Sequence, residues 1–206
     1  MSILTPEQKD VFKELVNIGL GRAAGILNEL VQSRVYLQTP VIYAFKVKSL
    51  EDNLDLFGPK PLASVVIDFS GPYSGVSALV FPPEAALNLV SLLTGEEPYL
   101  PNLDTLRIGT LSEVGNIVLN GVLGSIANML GHRLHFSLPL VVEDTFSKFI
   151  TDRFANPESV LLVAKTHFSI QNREIDGDIL LLFEMASFTK LLAAIDQLLE
   201  ETVERL

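Results

Sequence analysis

The sequence predicts an α/β fold, in the α+β sense, with pseudo-twofold symmetry: two long helices packed on a mostly antiparallel sheet built by both halves of the chain. Three observations predict it. Two long helical runs, each with a recognisable cap, open the two halves. Each is followed by extended, β-branched segments that end in a second helix. The second half also repeats the first at a fixed offset, so that HRLHFSLPLVV aligns without a gap on SRVYLQTPVI, 99 residues earlier, pairing Arg34 with Arg133 and Pro40 with Pro139. Such repetition describes one domain, residues 1–206, made of two repeats at about 1–97 and 103–206, because a single copy is small for a core of its own.

In chain order, Thr5 is the expected N-cap of the first helix, with Pro6 at its first position and Gln8 closing a capping box, so a helix runs from about Pro6 to Gln32. SRVYLQTPVIYAFKVKSL then reads as an extended segment bent at Pro40. LASVVIDFSGPYSGVSALVFP reads as two strands joined at Gly-Pro-Tyr-Ser-Gly, and PPEAALNLVSLLTG as a helix stopped by Gly95. EEPYLPNLD is a polar connector. The pattern restarts with a helix through LSEVGNIVLNGVLGSIANMLG, capped by Gly131. VLLVAKTHFSIQNREIDGDILLLFE repeats the strand pair with a hairpin three residues longer, and MASFTKLLAAIDQLLEETVERL repeats the closing helix.

Composition excludes several functions. The net charge of −10 repels phosphate backbones and argues against nucleic acid as the main partner. There is no cysteine, and the three histidines, His132, His135 and His167, have no partner at ligand spacing, so thiol nucleophiles and the usual zinc sets are excluded and the histidines read as structural. Charged residues from Glu7 to Glu14 replace any secretory apolar core, and no stretch approaches a membrane span, so a cytoplasmic location without membrane insertion is expected.

The polar residues worth attention lie in the two long helices. At 100° per residue Asp10, Glu14, Asn17 and Gly21 fall within roughly 60° of arc, and Gly109, Glu113, Asn116 and Asn120 fall on the same arc of the second helix. Glu and Asn three residues apart thus occur twice, each Asn followed after 22 residues by proline, Pro40 or Pro139. Two bland readings stand beside a functional one. Glu113 closes a capping box with Thr110 if the second helix starts there, and each Asn serves equally as a satisfied interior amide.

At these residues the chain resembles the CheC, CheX and FliY phosphatases of bacterial and archaeal chemotaxis. Their signature is Asp or Ser, three residues, Glu, two residues, Asn, then 22 residues and Pro. Asp10, Glu14, Asn17 and Pro40 meet every position, whereas the second copy, Glu113, Asn116 and Pro139, has Gly109 at the first. NIGLGRAAG is also similar to the family's NIGxGxAA stretch, with Arg22 and Gly25 where many relatives carry Asn and Thr, a change expected at the rim of the first site. Two signatures place the chain nearer the two-site CheC type than the single-site CheX, and the length leaves no room for the flagellar-switch domain that FliY adds.

The resemblance implies hydrolysis of the aspartyl phosphate on the chemotaxis response regulator CheY, a two-component signalling reaction. Asn17 and Asn116 would position the attacking water, as the glutamine of a GTPase does, and Glu14 and Glu113 would pair with a lysine of the regulator. Asp10, Pro40 and Pro139 support the motif, the prolines by shaping the bend after the helix. No cofactor is expected on this chain, the Mg2+ being supplied by the phosphorylated regulator. The alternative is a non-enzymatic adaptor of the same fold that binds the deamidase CheD or another signalling partner; a third reading is a structural module whose Glu and Asn satisfy buried groups. Gly19 and Gly21 are expected to admit the backbone of the sister helix.

Overall fold

A computed structural model describes residues 3–32, 34–38, 40–57, 60–95, 105–153, 156–170 and 173–203. The connector at 96–104 lies outside them. Helix α1 (Pro6–Val31) starts as the sequence predicts: Thr5 accepts from the Gln8 backbone N–H at 3.2 Å, and the Gln8 side chain accepts from the Thr5 N–H at 3.0 Å. It ends with Gln32 in the left-handed conformation. Helix α2 (Pro83–Thr94) is closed by Gly95 at φ 73°, and α3 (Thr105–Met129) is followed by Gly131 at φ 67°.

Among the described residues eight strands form one sheet: β1 (Val35–Leu37), β2 (Val41–Lys46), β3 (Pro61–Ser70), β4 (Gly75–Phe81), β5 (His135–Phe136), β6 (Leu140–Thr145), β7 (Val160–Ile170) and β8 (Arg173–Phe183). The order is β1-β7-β8-β4-β3-β5, with β2 also on β7 and β6 also on β3, and every pair is antiparallel. The two halves are interleaved. β1 and β2 of the first half pair with β7 of the second, and β5 and β6 of the second pair with β3 of the first.

Both prolines of the repeat sit at the same irregularity. Leu37 pairs with Phe168 and Val41 with Lys165, four steps along one strand against three along its partner; Phe136 pairs with Phe69 and Leu140 with Val66, again four steps against three. Each is a three-against-two bulge on an edge of the sheet, a place where a residue without an N–H is tolerated.

One face of the sheet packs under α1, α2, α3 and α5 (Met185–Val203), through Ala63, Val65, Ile67, Leu79, Phe81, Ile179, Leu181 and Phe183. The other face buries Leu62, Val66, Ala78, Val80, Leu161, Val163, Leu180 and Leu182. That second face is covered by a helix absent from the sequence reading, α4 (Phe146–Arg153), whose Phe146, Phe149 and Ile150 are buried, and by the 3-10 turns at 47–49 and 51–56. With both faces covered, the central strands are apolar throughout rather than alternating.

Candidate active site

The two long helices present their polar stripes outward because their other faces are committed to the core. In α1, Phe12, Leu15, Val16, Leu20, Ala23 and Leu27 are buried, and in α3 Leu111, Val114, Val118, Leu119, Val122 and Ile126. Gly115 lets α3 lie directly on β3, since a Cβ there would stand 2.3 Å from the Val65 side chain. On the opposite arc Asp10, Glu14 and Glu113 are exposed, while Asn17 and Asn116 are half-buried. The capping-box reading of Glu113 is excluded: α3 starts at Thr105, and Thr110, inside it, donates its hydroxyl to the Leu106 carbonyl at 2.8 Å. Gly109 is likewise an interior, exposed helix position.

The helices touch backbone to backbone at Gly19, where a Cβ would meet Val122 Cα at 2.4 Å and the Gly121 carbonyl at 2.8 Å. Gly21, expected to share that role, does not: nothing lies within 4 Å of its Cβ position, because it belongs to the outward stripe. Leu30, well past the crossing in α1, shares a groove with Leu106, Gly109 and Glu113, which precede the crossing in α3, so the helices run in opposite directions. The two Glu–Asn pairs therefore lie on either side of the crossing, as separate sites.

Around Asn116 the surface is concave. A cleft of about 400 Å³ is lined by Arg22 and Ile26 of α1 and by Asn116, Ile117, Asn120 and Gly121 of α3, among others. Arg22 thus belongs to the second site, not to the rim of the first. Five residues after Asn17 it has turned about 140° around α1, and its Nη1 donates across the helix pair to the Ser125 hydroxyl at 3.2 Å. Within the cleft Asn120 Nδ2 donates to Asn116 Oδ1 at 2.7 Å. The sequence reading placed Asn120 on the stripe without a role; its spacing of four residues was the signal. Beside the cleft, the larger groove of about 680 Å³ reaches Glu113 and is mostly apolar, lined by Leu30, Leu93 and Leu106.

The remaining candidates stand apart from the stripes. Pro40 is buried and Pro139 half-buried at the two bulges. His132 packs edge-on against Tyr73, with ring centroids 5.6 Å apart, while His135 and His167 are exposed on strands. Among the described residues no group of three or more metal-ligating side chains converges, and no helix is long and apolar enough to cross a membrane.

Comparison with known proteins finds relatives with this fold. The family model for "Chemotaxis phosphatase CheX" matches residues 63–149, a span that includes Glu113, Asn116 and Pro139. The chain is 26% identical over 199 residues to the CheY-P phosphatase CheC of Bacillus subtilis, covering 92% of this chain and 94% of that one. It is 22% identical to the flagellar motor switch phosphatase FliY of the same organism, covering 93% of this chain but only half of FliY's length. Among solved structures, Thermotoga maritima FliY superposes with a TM-score of 0.75 at 20% identity, covering 95% of this chain and 98% of that one. CheX in the CheX-CheY-BeF3-Mg2+ complex from Borrelia burgdorferi gives 0.53 at 18% identity, covering 82% and 97%. In fold, and over most of its length in sequence, the chain is thus similar to the CheC, CheX and FliY chemotaxis phosphatases.

Proposed function

We propose that the chain hydrolyses the aspartyl phosphate of a CheY-like response regulator, with Glu14–Asn17 and Glu113–Asn116 as two separate sites. The observation that carries this reading is their presentation. Each carboxylate is exposed and each carboxamide half-buried one turn further on, on a helix whose opposite face is fixed in the core. A merely structural pair would be buried and mutually satisfied, yet neither Glu14 nor Asn17 has a side-chain hydrogen bond to another described residue.

An acyl phosphate is already activated, and its loose transition state asks mainly for an in-line water. A carboxamide both donates and accepts, so Asn17 or Asn116 holds one water opposite the leaving carboxylate. The water oxygen attacks phosphorus, the P–O bond to the aspartate breaks, and carboxylate and inorganic phosphate leave. Glu14 or Glu113 pairs with a lysine beside the regulator's phosphorylation site and so sets the angle at which the helix enters. The magnesium is carried by the regulator. The CheX relative crystallised with CheY supports a partner of this kind, and a cytoplasmic location belongs to the same proposal.

The test is the rate of phosphate loss from a phosphorylated CheY-type regulator with magnesium. A large acceleration over the regulator's own decay is expected. Binding without acceleration points instead to an adaptor, for CheD or another partner, and overturns the phosphatase reading.

A further inference from the structure

The two sites differ at one position that bears directly on the carboxamide. Asn120 Nδ2 donates to Asn116 Oδ1 at 2.7 Å. Helical side chains lean toward the N-terminus, so a residue four positions on reaches back over the one before it. The duplication offset puts Gly21 at the corresponding place beside Asn17, with nothing within 4 Å of its Cβ position. One asparagine has an amide neighbour where the other has open space.

We propose that Asn120 is a positioning residue for the second site, holding the Asn116 carboxamide in its water-binding orientation, and that the first site works without such a support; this rests on the phosphatase reading above. The terminal torsion of an asparagine is broad and roughly two-fold, so a free carboxamide presents its oxygen and nitrogen by turns. With Asn120 donating to Asn116 Oδ1, the Asn116 Nδ2 is directed away as a donor, and one lone pair of Oδ1 remains to accept. Turning the Asn116 amide alone would set two NH2 groups against each other. Turning both would bring the NH2 of Asn120 into the enclosed position now held by its Oδ1, which has no partner there. Preorganisation of this kind acts on the transition state rather than on docking.

The experiment isolates each site in turn. In an Asn17→Ala background, where only the second site remains, Asn120→Ala is expected to lower kcat about three- to tenfold, the range one neutral hydrogen bond is worth, with KM for the phosphorylated regulator unchanged. In an Asn116→Ala background, Gly21→Asn is expected to raise the kcat of the first site by a similar factor, whereas Gly21→Ala, which supplies helix propensity but no amide, leaves it unchanged. Side-chain amide NMR of the unmutated protein is expected to show Asn116 more rigid than Asn17, and Asn120→Ala to remove the difference. Equal mobility of the two amides, an unchanged kcat in the Asn120→Ala variant, or a rise in KM alone overturns this proposal while leaving the phosphatase reading intact. An unmutated protein that does not accelerate phosphate loss overturns both.

Discussion

Ala78 and Leu180 lie opposite one another across the β4–β8 ladder, and the duplication makes them equivalent positions: their separation is the repeat offset of 99 lengthened by the three extra residues of the second hairpin. A pair of equivalent residues facing each other marks where the pseudo-twofold axis crosses the sheet. The axis relates α1 to α3 as well, so the two Glu–Asn pairs share one scaffold, and differences between them come from local residues such as Asn120 and Gly21.

Both sites are therefore expected to work, unequally. Asn17→Ala and Asn116→Ala taken singly each retain phosphatase activity, with the larger loss from Asn116→Ala, and the double variant brings phosphate loss down to the regulator's own rate. Gly109 is not expected to silence the second site, because it lies a full turn before Glu113. Phosphate-release rates for the three variants, with circular dichroism to establish folding, decide it. A folded double variant that remains active refutes the role given to the asparagines.

The proposed role of the glutamates falls at a different stage. Glu14→Ala together with Glu113→Ala is expected to weaken association by roughly tenfold, an exposed charge-assisted contact being lost at each site, and to flatten the salt dependence of binding. The Asn17→Ala, Asn116→Ala double variant should bind the phosphorylated regulator as the unmutated protein does. Titration calorimetry with a non-hydrolysable phosphoryl mimic on the regulator separates the two, and equal losses of affinity would contradict the division of labour.

Much of this was legible from the residues, and the gaps have physical causes. Caps and stops at Thr5, Gly95 and Gly131 are local chemistry, so the ends of α1, α2 and α3 followed from sequence, as did the repeat that sets Arg34 beside Arg133 in the alignment. Which strands pair is a long-range property, and nothing in SRVYLQTPVI says that it lies on β7 rather than on its own half. Helix α4 escaped notice because Phe146, Phe149 and Ile150 have meaning only once the sheet has a second covered face. Gly19 and Gly21, two residues apart and alike on paper, separate only when α3 is in place, since a shift of about 200° sends one to the crossing and the other to solvent. The outward stripe was readable from spacing, whereas the reach of Arg22 toward Ser125 depended on the neighbouring helix.

The helix crossing makes an unequal pair of glycine substitutions. Gly19→Ala sets a methyl against the Val122 Cα and the Gly121 carbonyl, backbone atoms that have no rotamer to escape into, and is expected to cost about 1–3 kcal/mol as the helices separate. Gly109→Ala, at an exposed helical position with nothing within 4 Å, is expected to stabilise by up to about 1 kcal/mol. Urea unfolding of the two variants reads both signs, and similar shifts in one direction would show that the close contact at Gly19 is absent in solution.

Glu158 provides a pH marker at the end of the sheet. Hydrogen bonds from Lys46 at 2.5 Å and Lys48 at 2.6 Å hold its carboxyl at about 2, below the ordinary 4.5. Because the folded value is depressed, the stabilisation from this cluster is complete above about pH 4.5 and fades as pH falls toward 2. It is small, the groups being exposed to solvent and screened by salt. Carboxyl NMR titration should find the Glu158 midpoint near 2 in the unmutated protein and near the ordinary value in Lys46→Met, Lys48→Met. An ordinary midpoint in both would mean that the ion pairs do not persist.

The interleaving of strands has a consequence for ancestry. A first half taken alone would carry β1 and β2 with no β7 to receive them, and a β3 whose outer edge lacks β5 and β6. Two identical halves supply each other with what each lacks: the bent strand of one fills the edge of the other, and β4 meets its own copy where it now meets β8, a self-complementary contact with Ala78 opposite Ala78. The present chain has the form of a fused, strand-swapped homodimer. Within one chain the two stripe-bearing helices can differ, an Asn standing beside Asn116 and a Gly at the matching place beside Asn17, an inequality that no symmetric dimer of one gene product can hold.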